Sequence, residues 1–291
     1  MNEYVGPANS IHGSSDGVII SAHDYGARGP TIIFCHATGF HGRYWDPICK
    51  QLSSDFHCVS LDFRGHGNSS LPLGTSLSWV GMAEDLLSVV DQLDLDPALA
   101  VGHSMGASSI LLAEQIRPST FKAAWLFEPI VISPTTFTEK NSKGGTLAAS
   151  ARKRKEIFAS REEAYQRYAS RPPFSSVDSD ALWAYVNYGF SDHDEGVILK
   201  CRGEIEAQVF ESSVTSIYAN LATVDTLVTV AAGGDKEGPA QIAPIVADEL
   251  PNGRFRLFEE YTHFAPMEDP NFIAAEIRNE LMGTLYRIYT L

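Results

Sequence analysis

Ser104 stands between two glycines in the run Val101-Gly102-His103-Ser104-Met105-Gly106-Ala107. An apolar run precedes it and a stretch rich in Ala, Leu and Ile follows, so the serine falls at a strand-to-helix turn. Glycines there let backbone segments approach where any side chain would collide. The turn lifts the hydroxyl out of the sheet and sets it at a helix N-terminus, whose dipole favours developing negative charge. A serine hydroxyl is a poor nucleophile until a base takes its proton, a task imidazole performs near neutral pH. Among nine histidines, His263 in Tyr261-Thr262-His263-Phe264-Ala265-Pro266 lies between the last strand and the last helix, in reach of Ser104. His12, His23, His41, His57, His66 and His193 fall in turns or at strand starts and are expected to be solvated. His36 and His103 belong to motifs of their own.

Attack on a carbonyl also requires two donors for the oxyanion. The loop His36-Ala37-Thr38-Gly39-Phe40 can aim backbone N–H groups at the reaction centre. Thr38 is the expected donor, with Ala37 as second choice and the N–H of Met105 as its partner. A carboxylate is needed to hold the imidazole tautomer, and two stand at strand ends. Glu128 abuts Trp125-Leu126-Phe127, where an ionised group is costly to bury without a partner such as His263. Asp235 sits beside Lys236 and Glu237 in a Gly-rich loop that would keep it solvated. Burial favours Glu128 and leaves Asp235 as the alternative. Phe40, Trp45, Trp183 and Tyr188 are the aromatic residues expected to line a substrate pocket. Asp62 and Arg64 are expected to pair with each other, and Arg152-Lys153-Arg154-Lys155 to form a solvated helix face.

These groups need elements to position them. Thr31–His36, His57–Asp62, Leu99–His103, Lys122–Phe127 and Thr226–Ala231 are apolar runs without polar alternation, as in parallel strands covered on both faces. Arg254–Phe258 reads as the last strand, and Ser10–Ser14 and Gly17–Tyr25 as two strands opening the chain. Leu86, Leu87, Val90 and Leu93 recur at helical spacing. Ile273, Ile277, Leu281 and Leu285 do the same in a closing helix. Strand–helix alternation of this kind predicts an open α/β sheet with right-handed crossovers. Between Pro129 and about Val224 the rhythm changes to helical stretches such as Ala148–Ala169, broken at Arg171-Pro172-Pro173. The chain therefore divides into a core of residues 1–129 and 225–291 and a lid insertion at 130–224.

With 36 acidic against 22 basic residues, the 291-residue chain carries a formal charge of −14. Such a surface repels phosphate backbones and anionic lipid, which argues against nucleic-acid and membrane-surface partners. Cys35, Cys49, Cys58 and Cys201 show neither CxxC nor regular spacing, so neither a disulfide framework nor a zinc site is expected. Residues Met1–Pro7 lack the basic and apolar regions of a signal peptide. The expectation is a cytoplasmic enzyme that takes a small-molecule substrate without metal or cofactor.

The HATGF loop, Asp62-Phe63-Arg64-Gly65-His66-Gly67-Asn68-Ser69, GHSMG and His263-Phe264-Ala265-Pro266-Met267-Glu268 resemble, in this order, the motifs of the α/β-hydrolase superfamily, esterase-like branch. The likeness spans nearly the whole chain and is weakest in the insertion. It implies a mostly parallel central sheet flanked by helices with a helical lid. It also implies a serine hydrolase that cleaves an ester or related acyl bond of a small to medium apolar substrate through an acyl-enzyme. In this superfamily the acid most often follows the strand preceding Asp235, whereas some branches place it where Glu128 stands. Dehalogenases and epoxide hydrolases of the superfamily use an aspartate nucleophile, which Ser104 argues against. Carbon–carbon bond hydrolysis, perhydrolysis as a side reaction and a non-catalytic ligand-binding relative are the other readings.

Overall fold

A computed structural model describes residues 7–26, 28–95, 98–132, 145–212 and 216–290. Its core is an eight-stranded sheet. The strands are β1 (Ala8–Gly13), β2 (Ile19–Asp24), β3 (Thr31–Cys35), β4 (His57–Asp62), β5 (Ala98–His103), β6 (Phe121–Phe127), β10 (Leu227–Gly233) and β11 (Gly253–Phe258). They lie in the order β1-β2-β4-β3-β5-β6-β10-β11. Only the β1–β2 and β2–β4 pairs are antiparallel; every pair from β4 to β11 is parallel. The five apolar runs are the buried strands at the centre, because helices cover both faces of a parallel sheet.

Those helices are α1 (Asp46–Leu52), α2 (Trp79–Gln92), α3 (Met105–Ile116), α9 (Pro239–Glu249) and α11 (Pro270–Thr290), with a short α10 (Ala265–Glu268). Ile273, Ile277, Leu281 and Leu285 of α11 are buried, as their spacing requires. Ser78 caps α2 by accepting from the Gly81 N–H at 3.1 Å, satisfying one of the helix's free donors. Among the described residues, no helix is long and apolar enough to cross a membrane.

From β3 the chain passes to β4 on one side, then returns to β5 on the other. The order therefore reverses between β3 and β5, and a crevice opens there beyond their carboxyl ends. The HATGF loop leaves β3 and the GHSMG turn leaves β5, so both motifs flank that crevice.

The segment between β6 and β10 holds α4 (Gly145–Ala151), α5 (Arg161–Ala169), α6 (Ser179–Gly189), α7 (Gly203–Glu211) and α8 (Ser216–Ala219). It also holds a small antiparallel sheet of β7 (Ile157–Phe158), β9 (Gly196–Leu199) and β8 (Phe190–His193), which the sequence did not announce. The expected helix over Ala148–Ala169 is thus two helices separated by an extended stretch. Phe158, Leu182, Val186, Phe190 and Leu199 join Phe34, Tyr44 and Trp45 in one apolar cluster that seats this segment on the core. Ile217, Leu221 and Val224 instead pack with α2 and α3 residues in the other core cluster.

Candidate active site

Ser104 follows β5 with φ 56° and ψ −119° and caps α3. Its N–H donates to Phe127 O at 2.9 Å, tying it to the end of β6. The flanking glycines are there because backbone lies against them. A Cβ on Gly102 would sit 2.6 Å from Ala107 Cα, and one on Gly106 would sit 2.3 Å from Cys35 O. Strain of this kind persists where surrounding structure over-determines it, and it concentrates at functional sites. Met105 opens α3, so its N–H has no helical acceptor and points out at the crevice end.

Glu128 also has positive φ, 45°, directly after β6. It is fully buried, and both carboxylate oxygens are engaged: Oε1 accepts from the Gly233 N–H at 2.9 Å, and Oε2 lies 2.5 Å from His263 Nδ1. Its own N–H donates to Ala231 O at 2.9 Å. Gly233 leaves room for the chain before His263, since a Cβ there would meet Tyr261 O at 2.4 Å. Asp235 reaches the same histidine by another route. It is exposed, and its Oδ2 accepts the backbone N–H of His263 at 3.1 Å. One carboxylate therefore meets the ring and the other meets the main chain.

His103 holds the histidine from a third side. Its Nε2 lies 2.8 Å from His263 O, and a carbonyl can only accept, so Nε2 carries the proton. Nδ1 then accepts from the Tyr44 hydroxyl at 3.1 Å. Burial, with His263 nearby, holds the His103 ring well below its ordinary pKa, consistent with a neutral spacer. Its place immediately before Ser104 was the signal for this role, but the partners that define it are remote in sequence.

The HATGF loop is pinned by two more neutral imidazoles. His36 donates from Nδ1 to Ala37 O at 2.8 Å and accepts the Phe63 N–H at Nε2 at 3.0 Å. His66 donates from Nδ1 to Arg64 O at 3.0 Å and accepts the Gly39 N–H at Nε2 at 3.2 Å. Burial lowers both pKa values, His36 with a further push from His66. Ala37 and Thr38 both border the crevice, leaving two amides on the loop as candidate donors beside Met105.

Several surroundings differ from the sequence reading. His12, His23, His41 and His66 are buried rather than solvated. His41 donates to Tyr185 O at 3.0 Å, and burial pushes its pKa down to about 4. Asp62 and Arg64 do not pair. Asp62 accepts from His23 at 3.2 Å and from the Gly42 and Asn68 N–H groups. These outweigh its burial and hold it below the usual carboxylate range. Arg64 forks onto buried Asp85 at 2.8 and 2.9 Å. The Arg152–Lys155 run is not a helix face, because α4 stops at Ala151 and Arg154 turns inward to Glu206, Tyr168 and Tyr185.

Ser104, His263, Thr38 and Phe40 line one cavity of about 1150 Å³. Trp45, Trp183 and Tyr188 do not line it. Trp45 is fully buried against Phe34 and Tyr44, Trp183 stacks on Tyr165 at 4.2 Å, and Tyr188 lies under the Arg43 guanidinium. On α6 the residue that faces the cavity is Tyr185, with ring neighbours Phe40 at 5.0 Å and Phe174 at 5.3 Å.

Residues 32–276 match the model of the alpha/beta hydrolase family. This chain belongs to that family. It is 31% identical over 114 residues to an epoxide hydrolase from Caballeronia sordidicola, a match covering 38% of the chain and only about a third (34%) of that enzyme. It is 28% identical over 260 residues to a non-heme chloroperoxidase from Streptomyces lividans, covering 86% of the chain and 91% of that protein. The solved structure of an E-2-(acetamidomethylene)succinate hydrolase superposes with TM-score 0.80 at 20% identity, covering 94% of this chain and 98% of that one. The chain is thus a member of an enzyme family, and its fold is that of its structural relatives.

Proposed function

We propose that this hydrolase cleaves an ester or related acyl bond by nucleophilic catalysis, with Ser104 as nucleophile, His263 as base and Glu128 as the acid behind it. The observation that carries the reading is the 2.5 Å contact of His263 Nδ1 with buried Glu128, at a histidine sharing a cavity with the strained Ser104. With the Nδ1 proton directed at Glu128, the imidazole lone pair is on Nε2, the tautomer a general base needs. Nε2 takes the Ser104 proton as Oγ bonds to the carbonyl carbon. The oxyanion accepts from the N–H groups of Met105 and Thr38. Collapse breaks the bond to the leaving group, which departs with the proton from Nε2. Water, deprotonated by the same nitrogen, then releases the acid and restores Ser104.

Asp235, the alternative acid, is assigned to holding the His263 backbone. The insertion expected at residues 130–224 would act as the lid that decides what enters. Phe40, Tyr185, Phe174 and Phe264 offer an apolar and aromatic wall to the acyl group. Hydrolysis of p-nitrophenyl esters of graded chain length tests the reading. Burst kinetics with turnover abolished in Ser104→Ala is expected, and turnover that survives in Ser104→Ala would overturn it.

A further inference from the structure

The charged residues of the cavity are distributed in a way that the proposed ester chemistry does not use. Five basic side chains line it among the described residues, Lys153, Arg154, Lys155, Arg167 and Arg171, against one acidic residue, Glu206. The chain as a whole has the opposite balance, 22 basic to 36 acidic residues. All six come from the insert. The lining contributed by the sheet end and its loops, including Thr38, Phe40, Ser104, His263 and Phe264, contains no Lys, Arg, Asp or Glu.

Two of the cations are neutralised. Arg154 meets Glu206 at 2.5 Å and Lys155 meets Glu163 at 2.5 Å. Lys153, Arg167 and Arg171 form no ion pair within the described residues, are exposed and line the cavity; the Arg167 charge adds to the lowering of the Glu163 pKa that the Lys155 hydrogen bond leads. Three cations without an ion pair among the described residues, lining one cavity in an acidic protein, concentrate positive potential there. Ring contacts run from Tyr168, next to Arg167, through Phe174 and Phe264 to His263, so an apolar path joins the neighbourhood of these cations to the proposed reacting end.

We infer that the substrate carries an anionic group, carboxylate or phosphate, at the far end of an apolar stem, held by Lys153, Arg167 and Arg171 while the acyl carbon meets Ser104. This rests on the proposed ester or acyl hydrolysis for the reacting end only. Arginine suits such a role because its planar fork matches both oxyanions.

The test compares p-nitrophenyl monoesters of straight-chain α,ω-dicarboxylic acids with their ω-methyl-ester counterparts and with ω-phosphate analogues, across stem lengths. At low salt the anionic ester should be favoured in kcat/KM by about tenfold, and the preference should shrink severalfold in 0.5 M NaCl as screening sets in. In the combined Lys153→Gln, Arg167→Gln, Arg171→Gln variant the ratio should approach one. It should stay unchanged in Arg152→Gln, which removes a cation outside the cavity that pairs with Glu204 and Glu211. The carboxylate and phosphate arms tell the two anions apart. A second arm needs no turnover: calorimetric binding of dicarboxylates and of monocarboxylates of equal length to Ser104→Ala. Preference for dicarboxylates that is lost in the triple variant supports the site. Equal binding, preference for neutral esters, or an Arg152→Gln effect as large as the triple variant's overturns it. Charge-dependent binding without hydrolysis of any ester would keep the anion site and defeat the hydrolase reading instead.

Discussion

The ends of the central strands and the insert wall face each other across one cavity and are built on different principles. At the strand ends every chemical group is tied to backbone. Ser104 bonds to β6, Glu128 to β10, and His263 is gripped at its ring, its N–H and its carbonyl by Glu128, Asp235 and His103. The insert wall presents aromatic rings and long cations, several of them exposed. Reaction geometry thus resides in parts that cannot shift without breaking the sheet. On the proposed reading, substrate choice resides in side chains that can change without disturbing it.

The sharpest way to break that contrast is to remove strand-end groups. Ser104→Ala is expected to lower kcat by about 10⁶, the scale seen when a serine nucleophile is lost. Glu128→Gln should cost about 10³–10⁴ in kcat with little change in KM, because it loses the tautomer and the imidazolium partner. Asp235→Asn, which keeps a side-chain acceptor for the His263 N–H, should cost less than about tenfold. Steady-state kinetics on one ester checks all three, and a larger loss in Asp235→Asn than in Glu128→Gln would exchange their roles. On the insert side, Tyr185→Ala should raise KM several-fold, whereas Trp183→Ala, outside the cavity, should leave KM within about twofold. Trp183→Ala instead forfeits roughly 1 kcal/mol of stacking on Tyr165, measurable by urea unfolding.

A pH-dependent effect on stability separates the regions further. The rings of His36, His41, His66 and His103 are buried with lowered pKa, whereas the unfolded chain protonates its histidines near pH 6.5. The unfolded state then binds more protons as pH falls, so this stability is complete above pH 6.5 and is lost on acidification. For His41 the window runs from 6.5 to about 4, and it contributes up to about 3 kcal/mol. Urea midpoints should drop between pH 7 and 5, before most carboxylates titrate, and the drop should be shallower in His41→Gln.

What the sequence disclosed follows the same division. Strands such as His57–Asp62 were legible because burial on both faces writes a continuous apolar run, and Ser104 because two backbone collisions demand glycine. The burial of Glu128 against His263 was readable from the cost of burying a lone carboxylate, although its positive φ was not. The insert was less readable because its order comes from distant partners. Arg154 leaves the expected helix face for Glu206, 52 residues on, and Arg202 with the Gly203 N–H secures Glu156. The buried histidines escaped for the same reason: His23 and Asp62 are 39 residues apart, and His41 and Tyr185 are separated by 144. Trp45 is aromatic in the same way whether it lines a pocket or fills a core, and only packing distinguishes the two.

The central claim is that Ser104 is an activated nucleophile. Labelling of the folded protein with a fluorophosphonate, followed by mass mapping of the adduct, tests it most directly. The account predicts one adduct, on Ser104, absent from Ser104→Ala and from urea-unfolded protein, and formed far more slowly in Glu128→Gln. A folded protein that takes no label, or takes it at another residue, would contradict it.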